Sequence, residues 1–583
     1  MRRLLLQFIL GALMIAVNLL PAFGAQDKFH RLSVAEYRDK MKAGWVGQMA
    51  GVEWGYPIEF RYYGRAVPES MVPRWKPHMV NGGFTQDDLY LDIGYLHSID
   101  KDGLGITSQE TAIDYAGYDF EFTRGSRSAF ISGLAPPDSG HPKFRNHPDG
   151  LGYQISADVT GLIAPGLPNV AIALGERLGS IRHYADGIYA GQFVGAMYCE
   201  AFFEDDPVRI VEAALKAIPQ QSKFAEMVRD VLTWYKEDPD DWEKAYRLID
   251  EKYFRNPEHN WMDWKWKGLE TLNMDVKLNG AFIVTGLLYG QRDLDKTIVC
   301  SLRGGHDCDC NPSNSAGILF TTIGFSKLPS RFTSIDERRV FSQVEDPLIF
   351  QYTLTGVVDL TEKIARQVIV SEGGRIEKDD NGREVFVIPI QQPRPSKLQD
   401  SRNPDATTGS RFTTEELSQI RGTGPSALTE FSKYAPGWKV NPEASLGLLQ
   451  LVNGKRNVFV TYPPNKDTEC TLAKRVDIPA SLQTLLRLKV GHDPRGGYTL
   501  IVRANDKELY SWDVVKEPWI NVAVDLSEYA GETITLELVN KPSRFWSNEW
   551  AYFKEITIES RTTFDKGETL WRTPRPEGEL PPF

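Results

Sequence analysis

Two kinds of hydrophobic spacing divide the chain. From about residue 34 to residue 370, apolar residues recur every three or four positions, the spacing that lines one face of an α-helix. After residue 423, apolar and polar residues alternate in short runs separated by turn residues. Three of these runs are formed by Leu486, Leu488 and Val490; by Tyr498, Leu500 and Val502; and by Ile534, Leu536 and Leu538. The pattern therefore predicts a multidomain protein, with a large all-α domain followed by a β-sandwich.

Several helices can be placed from their end signals and apolar stripes. Asp206 is an expected N-cap, and Pro207 suits the first turn that follows it. Three stripes predict amphipathic helices. They are formed by Val208, Val211, Leu215 and Ile218; by Phe224, Met227, Val231 and Tyr235; and by Leu89, Ile93 and Leu96.

The composition along the chain suggests its division into segments. Residues 392–423 are polar and rich in Pro, Ser, Arg, Asp and Thr, which favours a linker or a surface loop. We expect a leader at 1–25, the helical domain at 30–372, a short strand plus linker at 373–435, the β-sandwich at 436–560 and a Pro-rich tail at 561–583.

The N-terminus has the features of a cleavable secretory signal peptide. Arg2 and Arg3 precede an apolar run that reaches Leu20, and Ala22 and Gly24 form a small-x-small cleavage pattern. The alternative is a single membrane anchor, but the run is near the lower length limit for a transmembrane helix. We expect a secreted or periplasmic protein that is free of the membrane after cleavage.

Charge and cysteine content exclude two classes of protein. The 583 residues carry a net charge of −11, whereas a general nucleic-acid binder needs a basic face. Five cysteines are an odd and small number for this length, so no disulfide framework is indicated. Cys308 and Cys310 alone are too few for a four-cysteine zinc site.

A glycine-rich helix precedes the first candidate acid. Gly47, Gly51 and Gly55 recur every four residues, which leaves one helix face bare and favours close helix–helix packing. The helix should end near Pro57, and Glu59 follows at a point where its carboxylate could face a cleft.

Two further acids open the predicted helix near residue 87. Asp87 and Asp88 could stabilise the N-terminus of that helix as capping groups, and Thr85 could cap it as well. Neighbouring helical residues point about 100° apart, so both carboxylates cannot serve one cap. One acid is therefore available for another task.

A third acidic segment lies at the start of a later helix. Gly304 and Gly305 allow a tight turn before Asp307 and Asp309, and Asn311-Pro312 resembles a helix start. Two carboxylates this close repel each other unless a cation lies between them. If this loop meets the Asp87–Asp88 helix, four carboxylates converge, which is enough for two hard divalent cations. The alternative is that these aspartates only cap the next helix.

Taken together, these segments resemble one known family. "GQMAGVEWGYPIEF", "TQDDLYL" and "GGHDCDCNPSNSAGIL" occur in the order of the motifs of the ADP-ribosylglycohydrolase family, and "SIRHYADGIYAGQFVGAMY" is similar to its His-containing central helix. The similarity spans about residues 34–328. It implies an orthogonal all-α fold, a binuclear Mg²⁺ or Mn²⁺ centre, with Ca²⁺ as a further option, and cleavage of a glycosidic bond at a ribofuranose carbon.

The resemblance also implies roles for individual residues. Asp87, Asp88, Asp307 and Asp309 match the metal carboxylates of the family, with Thr85 as a further ligand. Glu59 matches the acid beside the substrate ribose.

The sequence departs from the family pattern at a few positions. Either Thr85 or Gln86 takes the place of the first motif's threonine, and Cys310 replaces the second threonine, although a thiol is a poor ligand for Mg²⁺. Val52-Glu53 stands where the family has an Asp after glycine, and Arg182 stands where it has a threonine before the histidine. These departures bear on the metal and the substrate.

The expected reaction builds positive charge on the sugar ring, which carboxylates stabilise. Glu59 or Asp88 could take the proton of the attacking water. The candidates for substrate contacts are Gln154, Asp158, His183 and Asn311. For Gln154 and Asp158, ordinary loop polarity is an equal alternative.

Export favours a carbohydrate substrate over an intracellular one. Aromatic side chains could stack on sugars if they are exposed, or fill a core if they are buried. They are Trp546, Trp550, Tyr552 and Phe553 in the predicted sandwich, which we expect to be jelly-roll or galactose-binding-like, and Trp261, Trp264 and Trp266 in the helical domain. We expect a small-molecule or glycan substrate. The competing hypothesis is a non-catalytic glycan-binding protein on the same fold.

Overall fold

The computed structural model of the protein describes most of both predicted domains. The residues described are 28–118, 124–131, 133–261, 274–343, 346–347, 352–413, 416, 420, 427–441, 446–452, 455–463, 467–493, 496–542 and 549–563. The predicted signal peptide, Trp264, Trp266, Trp546 and nearly all of the Pro-rich tail lie outside these ranges.

The N-terminal domain is helical, as the spacing predicts. Its helices are α1 (Val34–Gly55), α2 (Asp87–Asp102), α3 (Ser108–Tyr118), α4 (Arg124–Ile131), α5 (Asp158–Leu162), α6 (Pro168–Gly179), α7 (Asp186–Ala201), α8 (Pro207–Leu215), α9 (Lys223–Glu237), α10 (Trp242–Ile249), α11 (Val276–Gly290), α12 (Leu294–Leu302), α13 (Cys310–Ile323) and α14 (Leu354–Ser371). A π-helical turn, Asp250–Arg255, follows α10.

The end signals read from the sequence are confirmed in this domain. Asp206 caps α8, because its side chain accepts a hydrogen bond from the Val208 amide at 2.9 Å, and Pro207 is the first helical residue. The predicted apolar stripes of α2 and α9 face the core, where Leu89, Ile93 and Leu96 are buried.

A small antiparallel sheet joins the two ends of the helical domain. Strand β1 (Phe29–Ser33) pairs with β5 (Glu384–Pro389), which pairs with β4 (Arg375–Lys378). The sequence indicated one short strand after residue 373, whereas two are present. A two-stranded hairpin, β2 (Ser342–Gln343) and β3 (Asp346–Pro347), precedes α14.

The glycine face of α1 packs directly on the backbone of α13 and the loop before it. A Cβ atom added at Gly47, Gly51 or Gly55 would overlap the main chain of Ala316, Pro312 or Cys308, respectively. The prediction of close helix packing is therefore confirmed. The same contact holds the 307–309 loop against the C-terminal end of α1, next to Glu59.

The polar segment after β5 has no helix or ladder strand between residues 392 and 413, but it is bound to the helical domain. The Tyr189 hydroxyl donates to the Lys397 carbonyl at 2.7 Å, and Ser401 donates to Asp149 at 2.5 Å. Asp138 accepts backbone hydrogen bonds from residues 408–410. This segment is an ordered strap along the helices.

The C-terminal region contains two antiparallel five-stranded sheets, consistent with a β-sandwich. After α15 (Ala427–Tyr434), its strands are β6 (Lys439–Asn441), β7 (Leu446–Val452), β8 (Lys455–Thr461), β9 (Cys470–Asp477), β10 (Gln483–His492), β11 (Tyr498–Ala504), β12 (Lys507–Val514), β13 (Trp519–Asp525), β14 (Thr533–Lys541) and β15 (Ala551–Arg561). The strand orders are β13-β10-β15-β8-β7 and β12-β11-β14-β9-β6. The predicted inward residues of β10, β11 and β14 form the buried core.

The aromatic side chains of the sandwich are mostly structural. Trp550, Tyr552 and Phe553 are buried, so they fill packing space and do not present open faces to a sugar. Trp261 in the helical domain is exposed.

Two further findings concern the chain as a whole. All five cysteines are buried and free of disulfide bonds, in agreement with the sequence, which indicates no disulfide framework. Among the residues described, no helix has the length and apolar character needed to cross a bilayer.

We predict that Gly51→Ala destabilises the helical domain by about 1–3 kcal/mol, because the new methyl group must displace the backbone of Pro312. Thermal and denaturant unfolding measure this effect. The matched control is Gly105→Ala, since a Cβ at Gly105 would meet nothing within 4 Å. Equal stability of the two variants would contradict the close approach of α1 and α13.

Candidate metal centre

The end of α1 and the 303–309 loop are held together by main-chain hydrogen bonds. A 3₁₀ turn, Tyr56–Ile58, ends α1, and Glu59 follows it. The Phe60 amide donates to the His306 carbonyl at 2.9 Å, and the His306 amide donates to the Tyr62 carbonyl at 2.7 Å. Gly305 and His306 both have left-handed backbone, with φ of 72° and 61°. The resulting turn brings Asp307 beneath Glu59.

The Asp87–Asp88 pair opens α2, as predicted, but no side-chain hydrogen bond caps the helix at Gln86. Asp88 is fully buried, and neither of its carboxylate oxygens has a hydrogen-bond partner among the residues described. A buried carboxylate without a partner is costly. The capping interpretation therefore does not account for Asp88.

Asp309 is both a helix cap and a candidate metal ligand, the two alternatives that the sequence left open. It is the N-cap of α13, where its side chain accepts a hydrogen bond from the Cys310 amide at 2.9 Å. It also belongs to two groups of potential metal ligands, in each of which the ligand atoms lie within 4.8 Å of one another. One group is Asp88, Asp309 and Cys310, and the other is Glu59, Asp307 and Asp309.

The acids differ in their exposure to solvent. Asp88, Asp307 and Asp309 are buried, whereas Glu59 and Asp87 retain intermediate exposure. Asp87 belongs to neither of the two groups of potential metal ligands found among the described residues. Its carboxylate is nevertheless close enough to Asp309 for the charge of Asp309 to raise its pKa.

Burial and mutual repulsion raise the pKa values of these acids. Burial and the neighbouring Asp309 raise the pKa of Asp87 to about 6. Burial, followed by the charges of Asp87 and Asp309, raises the pKa of Asp88 well above its usual range, and burial and Asp309 do the same for the pKa of Asp307. The pKa of Asp309 is raised by burial. Carboxylates in such surroundings stay ionised only if positive charge offsets them.

The residues present fit a pair of divalent cations. The two ligand groups share one carboxylate, that of Asp309, and the Asp88 oxygens, which have no hydrogen-bond partner among the described residues, belong to one group. Carboxylate oxygens are the preferred ligands of Mg²⁺, Mn²⁺ and Ca²⁺. The donor set is compatible with the metal dependence typical of carboxylate centres of this kind.

Glu53 lies beside the acid cluster, whereas sequence reasoning treated it only as a departure from the family pattern and assigned it no role. The Gln86 side chain donates to its carboxylate at 2.6 Å, just before the two acids of α2. Burial, with a smaller contribution from Asp309, raises the pKa of Glu53 to about 7. The available signal was its position in the glycine-rich part of α1, two residues before Gly55.

The two alternatives for the missing threonine differ in their contacts. The Thr85 hydroxyl donates to the Gly82 carbonyl at 3.0 Å, whereas the Gln86 amide is bound to Glu53. Both side chains therefore have hydrogen-bond partners, Thr85 within its own turn and Gln86 on α1. The metal role of Thr85 stays a prediction.

Asp158 and Asn311 form hydrogen bonds that connect α13 to neighbouring helices. Asp158, buried at the start of α5, accepts a hydrogen bond from Asn314 of α13 at 2.7 Å, and Asp92 of α2 accepts one from the Val159 amide. Asn311 is buried and donates to the Ser301 carbonyl at 2.8 Å. These bonds hold α2 and α13, the two helices that begin with acid pairs, in a fixed relation. Substrate roles for Asp158 and Asn311 stay predictions.

Gln154 and His183 are also buried. Gln154 lies in a 3₁₀ turn, and neither of its amide atoms has a hydrogen-bond partner among the described residues. His183 contacts the Pro148 carbonyl through Nδ1 at 3.3 Å. Burial and the charges of Arg182 and Arg145 lower the pKa of His183 well below its usual range, so it is neutral.

The expectation that His183 lies on the central helix is corrected by the structure. The helix α7 begins only at Asp186, because Ala185 has a φ of 44° and interrupts the helical backbone. Arg182 and His183 therefore lie in the turn before it.

Two guanidiniums, those of Arg182 and Arg145, lie near each other, and Arg182 also lies near Asp87. The Arg182 guanidinium is buried 5.2 Å from the ring of Tyr115 and lowers the pKa of Asp87 against the larger effect of burial. Arg145 is half-buried and donates to the Ser126 hydroxyl at 3.2 Å. Burial and the charge of Arg182 lower the pKa of Arg145 to about 10.

Comparison with known proteins gives one strong match. A family model described as ADP-ribosylglycohydrolase matches residues 33–360. No curated protein matches the chain.

Two solved structures share low similarity with the chain. One, described as an ADP-ribosylglycohydrolase-related protein complex, is 16% identical and covers 57% of this chain and 99% of its own, with a TM-score of 0.37. Another, TmCBM61 in complex with beta-1,4-galactotriose, is 12% identical and covers 22% of this chain and 92% of its own, with a TM-score of 0.18. The family assignment rests on the family model.

We predict that the metal-free protein loses stability as pH rises from about 4 to 7, and that Mn²⁺ restores more stability at the upper end. Acids with raised pKa values keep protons in the folded state that the unfolded chain releases near pH 4, so folding becomes less favourable across this window. Mn²⁺ competes with those protons, so its effect on the melting temperature should grow with pH.

The measurement is thermal unfolding with and without Mn²⁺ across that pH range. Asp88→Asn should flatten both dependences, whereas the exposed-site variant Asp205→Asn should leave them unchanged. A Mn²⁺ effect of equal size at both ends of the range would contradict the account.

Proposed function

The chain belongs to the ADP-ribosylglycohydrolase family, a family of glycosyl-bond hydrolases, and we propose that it cleaves an N- or O-glycosidic bond at a ribofuranose or related furanoside with a binuclear Mg²⁺ or Mn²⁺ centre. The observation that carries this proposal is the convergence of Glu59, Asp88, Asp307 and Asp309 on two ligand groups that share Asp309.

The residues assigned to the two cations follow from these groups. Asp88 and Asp309 would hold one, with Cys310 beside them, and Glu59, Asp307 and Asp309 would hold the other. When bound, such ions orient sugar hydroxyls and make a water molecule a better nucleophile.

The chain's own acids supply the remaining chemistry. The carboxylates beside the cleft stabilise the positive charge that develops on the sugar as the glycosidic bond breaks. Glu59 is the favoured acceptor of the water proton, because it is only partly buried and so retains solvent access. Asp88 is the alternative acceptor, although its full burial favours a holding role.

The guanidiniums of Arg145 and Arg182 bear on the choice of substrate. Among the described residues, no carboxylate forms an ion pair with Arg145, and Arg182 lies in the same electrostatic neighbourhood. Two guanidiniums close together favour an anionic group, such as the diphosphate of an ADP-ribosyl substrate, over a neutral furanoside.

The N-terminal pattern supports export, which we also propose. Arg2, Arg3, the apolar run and the Ala22-x-Gly24 pattern are those of a cleaved leader. Sequencing the N-terminus of the mature protein tests this, and an intact Met1 in the exported fraction would contradict it.

We predict that Asp307→Asn lowers kcat/KM by more than about 100-fold, since removing a direct metal ligand should cost more than removing a partner behind one. The assay uses ADP-ribosylarginine and aryl furanosides with added Mg²⁺ or Mn²⁺. Asp205→Asn, at an exposed ion pair, is the control and should retain activity. A wild-type protein that binds glycans but turns over no substrate would support the non-catalytic alternative.

We predict that Arg145→Gln raises KM for ADP-ribosyl substrates about tenfold or more and leaves KM for neutral aryl furanosides unchanged, because only the former bring an anionic group to the guanidinium. Arg209→Gln, which removes an exposed guanidinium that pairs with Glu204, is the control. Equal effects on both substrate classes would contradict an anion-binding role.

A further inference from the structure

We propose that Cys310 supplies a sulfur ligand to one half of the metal centre. The Asp88–Asp309–Cys310 group would then take a thiophilic divalent cation of the Zn²⁺ class, while the Glu59–Asp307–Asp309 group takes a hard cation, Mg²⁺ or Mn²⁺. This inference rests on the proposed function, because both use the same cluster of acids.

The position of the sulfur atom is the first observation. Cys310 is the first residue of α13, and its Sγ lies within 4.8 Å of ligand oxygens of both Asp88 and Asp309. The thiol donates a hydrogen bond to Asp307 Oδ1 at 3.2 Å. The sulfur therefore lies where the acid cluster meets the apolar core, and its hydrogen bond is directed to the acids.

The surroundings of the group are the second observation. Asp88, Asp309 and Cys310 are all more than nine-tenths buried, and both oxygens of Asp88 lack a hydrogen-bond partner among the described residues. Side chains of this polarity, directed toward one point, indicate a ligand between them.

The donor chemistry separates the two groups. Mg²⁺ binds oxygen and avoids sulfur, whereas Zn²⁺ accepts thiolate and carboxylate together. Two carboxylates and one sulfur leave a fourth position for water, the composition of an open zinc site. The other group offers three carboxylates and no sulfur, which suits a hard cation.

Binding at the sulfur site is a simple exchange of bonds. The S–H bond of Cys310 breaks, the proton passes to solvent, and a sulfur–metal bond forms with no change of oxidation state. The hydrogen bond to Asp307 is lost at the same time, which frees that carboxylate for the hard cation of the neighbouring group.

Cys308 provides a matched control. It is fully buried two residues earlier, but it belongs to neither ligand group, and its main chain packs beneath Gly55. Of these two thiols, only that of Cys310 is placed to bind a metal ion, so the two can be tested separately.

The test is Co²⁺ binding to the metal-free full-length protein, followed by absorption. We expect a thiolate-to-cobalt charge-transfer band in the near ultraviolet, present in wild type and in Cys308→Ser and absent in Cys310→Thr and Cys310→Ser. In dialysis against equal concentrations of Zn²⁺ and Mn²⁺, the Cys310 variants should bind Zn²⁺ about 10–100-fold more weakly and keep their Mn²⁺.

A second measurement needs no variant and covers the case in which a substitution prevents folding. X-ray absorption of the zinc-loaded wild-type protein should show a sulfur shell at about 2.3 Å. Cation binding with oxygen neighbours only would overturn the inference and leave Cys310 as a hydrogen-bond donor to Asp307. Failure of the wild-type protein to bind any divalent cation would overturn the proposed function as well.

Discussion

The acid cluster depends on a close contact between the backbones of α1 and α13, which is possible only because α1 has glycine at the contact. Helix α1 touches α13 and its preceding loop through Gly47, Gly51 and Gly55, and a Cβ at any of them would overlap main-chain atoms of residues 308–316. Glu59 follows the end of this contact, and Asp307 and Asp309 lie on the other side of it. The distance between these acids is therefore set by the bare face of α1.

A second constraint fixes the remaining pair of acids. Asp158 at the start of α5 bonds to Asn314 of α13, and the next residue's amide bonds to Asp92 of α2. These buried bonds fix the position of α2 relative to α13. Burial also raises the pKa of Asp158 to about 7. The dense set of buried acids thus lowers the folding stability, and bound cations would offset this cost.

Much of this could be predicted from the sequence because the signals are local. The glycine spacing, the acids at two helix starts and the alternating strands of the sandwich each depend on a few neighbouring residues. The position of Glu53 beside the acids could not be predicted in this way, since its partner Gln86 is brought to it only by the tertiary fold. The interruption at Ala185 is a backbone conformation with no residue signature, because alanine normally favours the helix. For the strap at 392–413 the sequence predicts a linker or a surface loop, and its order comes from distant partners such as Asp138 and Tyr189.

The central proposal is that the acid cluster holds two divalent cations that share Asp309 as a ligand. The most direct measurement is anomalous diffraction at the manganese and zinc edges from crystals grown with both Mn²⁺ and Zn²⁺. The account predicts two peaks among the acids, each at about 2.0–2.6 Å from carboxylate oxygens and both adjacent to Asp309. An acid cluster without a peak, in crystals whose surface acids do bind these cations, would contradict it.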